Sequence, residues 1–305
     1  MIPFLFRRLL LMLLTLFTVV SLTFLLMRLA PGNPFSADRK IPPSILQELE
    51  SKYGLSGTIG QQYRSYLKDV IRGDLRISTK YRDWSVNEIL SQTLPVSMAL
   101  GSAAFCLTLL IGISLGSFAA LYQGQWQDRS FMFIALLGIS IPSYILAPLF
   151  ILFFGLHLGW LPVAGFGNWD QWILPVFCLA LPFSASVARL VRTSLLEVLT
   201  QDFIRTARSK GLAESQIIIR HALRVALLPV LSYAGPLAAN LLTGSMVVEQ
   251  IFKIPGMGPF FINSVLNRDL FVVGGIVLVF SLILMTLNLF VDLLYTVLDR
   301  RIKLS

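Results

Sequence analysis

Charged residues are scarce in this chain: they make up 13% of its 305 residues, whereas 55% are hydrophobic. The mean hydropathy is +0.75. So few polar groups cannot cover the water-exposed surface of a soluble protein, although the length alone would suit about two soluble domains. The composition therefore excludes an ordinary soluble fold and predicts that much of the surface faces lipid.

Cysteine is almost absent, and so are the residue clusters that metal sites and hydrolases need. Cys106 and Cys178 both lie in apolar runs and indicate neither a disulfide nor a metal site. His157 has no Cys, His or carboxylate neighbours in the sequence, so packing beside Trp160 is the favoured interpretation. No nucleophile with a base and no H-E-x-x-H pattern supports a membrane-embedded enzyme. We expect a non-catalytic chain without a metal cofactor.

The G-x-x-x-x-G-K-[ST] phosphate loop is also missing, so the chain has no usual means of binding ATP. The net charge of +9 does not indicate nucleic-acid binding, because no basic stripe is interleaved with stacking aromatics. Among ionisable residues, Asp292 lies near the end of the last apolar run and Arg28 at the outer end of the first. Ion-coupled transporters carry ionisable residues at mid-membrane. Asp292 and Arg28 lie near the ends of their runs instead, which argues against a secondary transporter or channel.

Long apolar runs are abundant. A run of about 20 residues spans a bilayer as a helix, and lipid requires each backbone amide to be bonded within its own segment or a closed barrel. No barrel-like alternation is visible, so we predict an all-α integral membrane fold with six transmembrane helices, at 9–29, 95–122, 131–154, 173–191, 225–247 and 271–297.

These spans divide the chain into an N-terminal helix (1–30), an external segment (31–94), a permease core (95–298) and a tail (299–305). Within the external segment, helices are predicted at 44–53 and 61–72, the second with apolar residues at three- and four-residue spacing. The third span contains Pro142 and ends with Pro148, and the fourth contains Pro175 and Pro182. Such prolines predict bent helices around a path.

Basic residues flank one side of the spans, as expected for the cytoplasmic side. The long external segment largely escapes this charge rule, and its own charges nearly cancel. We therefore expect both termini in the cytoplasm and residues 31–94 outside. The flanking basic residues are Arg7, Arg8, Arg129, Arg189, Arg192, Arg205, Arg208, Lys210, Arg220, Arg224, Arg300, Arg301 and Lys303.

The segment TQDFIRTARSKGL (200–212) predicts a short amphipathic helix between the fourth and fifth spans. Thr200 is placed to cap its start, Asp202 favours its first turn and Gly211 fits its end. A second helix is predicted from Ala213 toward Pro229. A free helix as short as the first is marginal in water, so it must dock. The residues alone leave two partners open: another protein, or anionic lipid headgroups.

This segment resembles the cytoplasmic loop of binding-protein-dependent ABC importer permeases. The family pattern is Glu-Ala-Ala, three residues and Gly; here Arg205, Thr206, Ala207 and Gly211 occupy those places. RTARSKGL followed by RHALRVALLPV is similar to the dipeptide, oligopeptide and nickel branch, as are YLKDVIRGDLRIS and GSMVVEQIFKIPGMGPFFINSVLNRDL. The long external segment, with QQYRSYLK and SVNEILSQTLPVSMALG, is most similar to the B-type permease of oligopeptide transporters.

The resemblance implies a type I importer permease fold with a five-helix core, an N-terminal helix and an external cap. It implies a permease subunit that forms half of the pore of a peptide importer, with oligopeptides as substrate; a dipeptide or nickel importer is the alternative in the same branch. The implied partners are a second homologous permease, two ATPase subunits that bind ATP and Mg²⁺, and a periplasmic peptide-binding protein. The implied location is the bacterial inner membrane.

The resemblance also implies two sites. A helix that couples to the ATPase would contain Phe203, Ile204, Arg205, Thr206, Ala207, Arg208, Lys210 and Gly211. Ala207 and Gly211 would matter most for contact, since a larger side chain would hold the docking surfaces apart. On the outer side, a turn between the last two spans would either reach the binding protein's cleft as a gate or only pack; its residues are Glu249, Pro255, Gly256 and Gly258.

Overall fold

The computed structural model describes residues 2–29, 48, 51, 53, 56–81, 83–243 and 245–298. The predicted helix at 44–53 lies largely, and the tail at 299–305 wholly, outside the described residues. The helices are α1 (Ile2–Leu29), α2 (Ile59–Ile71), α3 (Val86–Leu121), α4 (Trp126–Ser140), α5 (Ser143–Phe150, continued as a π-helix over Ile151–His157), α6 (Asp170–Leu199), α7 (Asp202–Ser209), α8 (Glu214–Gln216, a π-helix over Ile217–Ala222 and Leu223–Ala226), α9 (Leu228–Thr243), α10 (Met246–Phe252), α11 (Met257–Leu266) and α12 (Leu270–Leu298).

Four of these helices, α1, α3, α6 and α12, are long and apolar enough to cross a membrane by themselves. Two further candidates are helix pairs: α4 with α5, bent by 102°, and α8 with α9, bent by 54°. The described residues thus contain six spans if each bent pair counts as one. The predicted all-α fold is confirmed, with the third predicted span broken in its middle and the fifth broken near its start.

Both breaks lie next to a proline. Ile141, between α4 and α5, has extended backbone angles (φ −105°, ψ 115°) because the ring of Pro142 disfavours a helical conformation in the residue before it. Pro229 lies at the start of α9 and has no N–H with which to continue the helix from α8. In contrast, α6 runs as one helix through Pro175 and Pro182.

The described residues form two compact units, and the first draws on Met1–Ser97 and Pro255–Thr286. Its core packs the start of α3 against α11 and α12, with Val86, Ile89, Met257, Val272 and Ile276 fully buried. This unit joins N-terminal residues to the last predicted span, so the compact units do not follow the chain in linear order.

The predicted amphipathic helix of the external segment is confirmed as α2. A capping box formed by Thr58 and Gln61 begins it. Its apolar face covers α1: Tyr66 packs with Val20 and Phe24 of that helix. The α2 helix is therefore tied to the first span.

A buried carboxylate organises the loop before α3. Asp269 lies just before α12 and is fully buried. It accepts a hydrogen bond from the hydroxyl of Ser78. It also accepts from the backbone N–H groups of Thr79 and Lys80, and each of these two bonds is 3.3 Å long. Because several donors satisfy the charge, its burial is tolerated.

The second unit contains Met98–Ile254 and the last part of α12 from Leu287. Within this unit, α3 and α6 pack closely against each other. A Cβ atom on Gly116 would overlap the carbonyl oxygen of Ala188 and would lie 2.8 Å from the Cβ of Val191. A Cβ on Gly112 would lie 2.6 Å from that of Val187. Gly112 and Gly116 thus let the two backbones approach closely, as small residues four apart do in membrane helices.

We predict that Gly116→Ala destabilises the permease by about 1–3 kcal/mol, the usual cost of adding atoms to a packed core. The control is Gly60→Ala in α2, because a Cβ there meets no atom within 4 Å. Thermal unfolding of the purified protein in detergent measures both. Equal melting temperatures for the two variants would contradict the close α3–α6 contact.

Candidate functional site

The predicted amphipathic helix is α7, Asp202–Ser209, with Asp202 in its first turn as expected. Thr200 was predicted to cap it, and this is wrong: the N-cap is Gln201, without a side-chain hydrogen bond. Thr200 instead ends α6, and its hydroxyl donates to the carbonyl of Glu197 at 2.8 Å. The reason is that α6 extends to Leu199, so Thr200 still belongs to the end of that helix.

The inward face of α7 is held by its own chain. Ile204 is fully buried and Ala207 is 7% exposed. They pack with Ala120 at the end of α3, with Leu195 and Val198 at the end of α6, and with α8. The residues that α8 contributes are Ile217, Ala222 and Ala226. The short helix is therefore sealed onto the ends of two spans.

The outward face of α7 carries a different set of side chains. Phe203 is 40% exposed, and the other exposed members of the predicted site are Arg205, Thr206, Arg208, Lys210 and Gly211. Arg205 pairs with Asp202 at 3.5 Å, but both side chains are highly exposed, so this ion pair adds little stability. One aromatic ring among basic groups is thus presented away from the protein.

The end of α7 is fixed by Gly211 and by an ion pair. Gly211 has a φ of +76°, and a Cβ there would meet no atom of this chain within 4 Å. The helix thus ends as predicted, with Gly211 one residue past the cap at Lys210. Arg208 donates two hydrogen bonds to Glu214 of α8, at 2.6 Å and 3.2 Å. The hydrogen bond with Glu214 raises the pKa of Arg208, so the pair stays ionised.

The residues of the predicted outer turn fall into different environments. Glu249, in α10, is fully buried, and the hydroxyl of Ser245 donates to its carboxylate. Pro255 is exposed, whereas Gly256 and Gly258 are buried at the start of α11. Pro255 is therefore the accessible member of the four.

An ion pair that the sequence did not reveal lies in the second unit. Arg192 of α6 donates to both carboxylate oxygens of Asp128 in α4, at 2.6 Å and 2.7 Å, and Asp128 also accepts from the N–H of Gly124 at 3.0 Å. The predicted fourth span ended at Val191, which placed Arg192 in a loop; the observed α6 continues to Leu199. Its apolar face continues too, since Leu195 and Val198 are buried.

The isolated histidine and Cys178 take part in packing, whereas Cys106 is exposed. The ring of His157 stacks on Phe153, with centroids 6.1 Å apart, rather than on Trp160, which lies against Phe154. Buried Cys178 donates a hydrogen bond to the carbonyl of Ser143. Among the described residues, no group of three His, Cys, Asp or Glu side chains is arranged to hold a metal ion.

Two family models match the chain. The model described as the binding-protein-dependent transport system inner membrane component matches residues 112–304. The model for the N-terminal part of such membrane components matches residues 1–99. Together they cover nearly the whole sequence.

Curated relatives match over all or nearly all of their length. The chain is 43% identical to the oligopeptide transport system permease protein OppB of Haemophilus influenzae and 45% identical to OppB of Escherichia coli K12, in each case over 99% of this chain and 100% of the relative. The dipeptide transport system permease protein DppB of Bacillus subtilis is 43% identical over 95% of this chain and 94% of the relative.

A solved structure shares the fold. It is the MetNI methionine ABC transporter in an inward-facing conformation, with a TM-score of 0.60 and 19% identity. The match covers 70% of this chain and 97% of the matched chain. The likeness confirms the ABC importer permease fold.

The two faces of α7 predict opposite outcomes for two substitutions. Ile204→Ala removes a fully buried side chain and should destabilise the permease by about 2–5 kcal/mol. Phe203→Ala, one residue earlier on the exposed face, should change stability by less than about 0.5 kcal/mol. Thermal unfolding in detergent compares the two, and equal losses would contradict the assignment of inward and outward faces.

Proposed function

The chain belongs to the family of binding-protein-dependent transport system inner membrane components, and from this premise we propose that it forms half of the pore of an oligopeptide importer. It is a multi-pass inner-membrane protein and a permease subunit of an ABC peptide importer. Such permeases are non-catalytic, and ATP hydrolysis occurs in separate ATPase subunits.

Full-length similarity supports oligopeptides as the substrate class. The OppB relatives match 100% of their own length at 43% and 45% identity, and a dipeptide permease matches 94% of its length at 43%. Because the identities are close, the dipeptide assignment is the runner-up. Nickel import is the remaining alternative in the branch that the sequence resembles.

The proposed partners are a second homologous permease, two ATPase subunits and a periplasmic peptide-binding protein. We place both termini and α7 in the cytoplasm and α2 outside, as the basic residues beside the spans favour. Pro255, the exposed one of the four predicted residues of the outer turn, would then lie on the side of the binding protein. The two family models, which match residues 1–99 and 112–304, support the proposed division between N-terminal segments and permease core.

The main support for a role of α7 in coupling is that its two faces differ. Its apolar residues Ile204 and Ala207 are already used by the chain's own core, and Phe203 is the large apolar side chain left exposed. Binding to lipid scales with the apolar area a helix can bury, and this outward face offers little. A protein groove that accepts one ring and pairs with basic groups fits better, so we assign the face to an ATPase subunit.

The packing suggests how such a contact would act. Since α7 is sealed onto the ends of α3 and α6 through Ile204, a force on its outward face would move these spans as well. ATP binding would close the ATPase pair, displace α7 and turn the pore outward while the binding protein releases peptide. This is a rigid-body transition between two states that different ligands favour.

We predict that Gly211→Asp uncouples transport. A side chain at Gly211 points into open space beside the outward face, where it would separate the permease from the ATPase. Peptide-stimulated ATP hydrolysis of the reconstituted complex should fall by about tenfold, which corresponds to about 1.4 kcal/mol.

Gly159→Asp is the matched control for Gly211→Asp. Gly159 has a φ of +64° and also meets nothing within 4 Å, so backbone strain is comparable, but it lies in the loop after α5. It should retain stimulated hydrolysis. Normal hydrolysis by Gly211→Asp, or equal loss in both variants, would contradict a contact at α7.

The proposed orientation predicts the labelling of two variants in which Cys106 is replaced by alanine, buried Cys178 is left in place and one exposed cysteine is introduced. Arg64→Cys, exposed on α2, should react with a membrane-impermeant maleimide in intact spheroplasts. Ser209→Cys, exposed on α7, should react only after the membrane is permeabilised. The reverse labelling pattern would contradict the proposed orientation.

A further inference from the structure

The α6 helix has a polar stripe that the packed core does not use. Ser186, Arg189 and Thr193 are spaced by three and four residues and share one face of the helix. Ser186 is half-buried, and Arg189 and Thr193 are exposed. The close contact with α3 uses another face, through Val187, Ala188 and Val191. A polar stripe outside the α3 contact therefore runs along a helix that qualifies as a membrane span.

This stripe lines an open cavity of about 500 Å³ within the second unit. The volume lies in the roughly 300–1,000 Å³ range of small-molecule sites. The walls are mostly apolar and come from α4, α6 and α9; the lining residues are Ile139, Ser186, Arg189, Leu190, Thr193 and Tyr233. The cavity combines space for varied side chains with a few polar groups that could orient a ligand.

Arg189 differs from its neighbour Arg192, three residues further along α6. Arg192 is paired with Asp128, whereas no carboxylate in the described part of the chain lies within ion-pair distance of Arg189. A guanidinium on a span is costly against lipid and normally faces a partner or a water-filled path. Its planar donors match a carboxylate in a two-bond geometry. The cavity is thus chemically suited to an anionic carboxylate ligand.

We propose that this cavity is a transit site for the imported peptide and that Arg189 binds the peptide's C-terminal carboxylate. The inference rests on the proposed function. A terminal carboxylate is common to unmodified peptides of any sequence, and the apolar walls at Ile139 and Leu190 contact side chains without selecting one. A single charged contact in an open cavity holds the peptide weakly enough for release, as a transport path requires.

The first test measures uptake of a radiolabelled pentapeptide by the complete complex in proteoliposomes. Arg189→Ala should lower uptake by about tenfold, which corresponds to about 1.4 kcal/mol, and Arg189→Lys should restore part of it. Arg64→Ala, which removes an exposed charge on α2, is the control and should import normally. If the unaltered complex imports no peptide, the proposed function fails; if it imports and Arg189→Ala imports equally well, the transit site is wrong.

The second test traps the peptide beside Arg189. In a variant with Cys106 replaced by alanine, Thr193→Cys places a thiol one turn from Arg189, and buried Cys178 is left in place. Oxidative cross-linking should capture a pentapeptide with a C-terminal cysteine faster than one with an N-terminal cysteine, and Arg189→Ala should abolish the difference. Glu197→Cys, exposed one turn further along α6 and outside the cavity, should capture neither. No capture at Thr193→Cys, or capture without preference, would overturn the proposal.

Two other occupants would give different outcomes. If the cavity binds a carboxylate of the second permease, Arg189→Ala should release that subunit during affinity purification. If it binds an anionic lipid, uptake should depend on phosphatidylglycerol in the unaltered complex and lose that dependence in Arg189→Ala. Either result would also contradict a peptide transit site.

Discussion

The burial of Ile204 and Ala207 against the ends of α3 and α6 is the contact on which the proposed mechanism depends. A helix of eight residues has too few internal hydrogen bonds to be stable alone, so its orientation is set by this apolar seal. The same seal decides which side chains face outward, since burying Ile204 leaves Phe203 and Arg205 exposed. The same packing therefore both anchors α7 and exposes Phe203 and Arg205 to a partner.

That packing in turn requires the C-terminal halves of α3 and α6 to be held together. Gly112 and Gly116 bring the backbones into contact, and the pair between Arg192 and Asp128 joins α6 to α4 on another side. A partly buried ion pair of this kind contributes less to net stability than to fixing one arrangement, because desolvation offsets much of the attraction. With those two faces committed, the stripe at Arg189 is left for the cavity. The α6 helix therefore links the core, the proposed coupling site and the proposed path.

Much of this architecture could be predicted from local sequence. Apolar runs located the spans, periodicity located α2, and the basic amphipathic segment located α7, because each of these signals is carried by consecutive residues. What depended on tertiary contacts was missed. The end of α6 was placed too early, since Arg192 looks like a loop residue until its ion pair with Asp128 and the burial of Leu195 are seen. The inward position of Ala207 and the division of the fifth span at Leu227 likewise required neighbouring elements.

In the proposed mechanism α7 moves with its spans as one rigid body, so the distance between α7 and α6 should stay constant when ATP binds. Spin labels on Ser209 of α7 and Glu197 of α6, both exposed, can be measured by double electron–electron resonance in the reconstituted complex, without nucleotide and with trapped ATP. The mean distance should change by less than about 2 Å in samples with stoichiometric trapped nucleotide. A change of about 5 Å or more, one helical turn, would mean that α7 moves independently of α6 and would rule out the rigid-body transition.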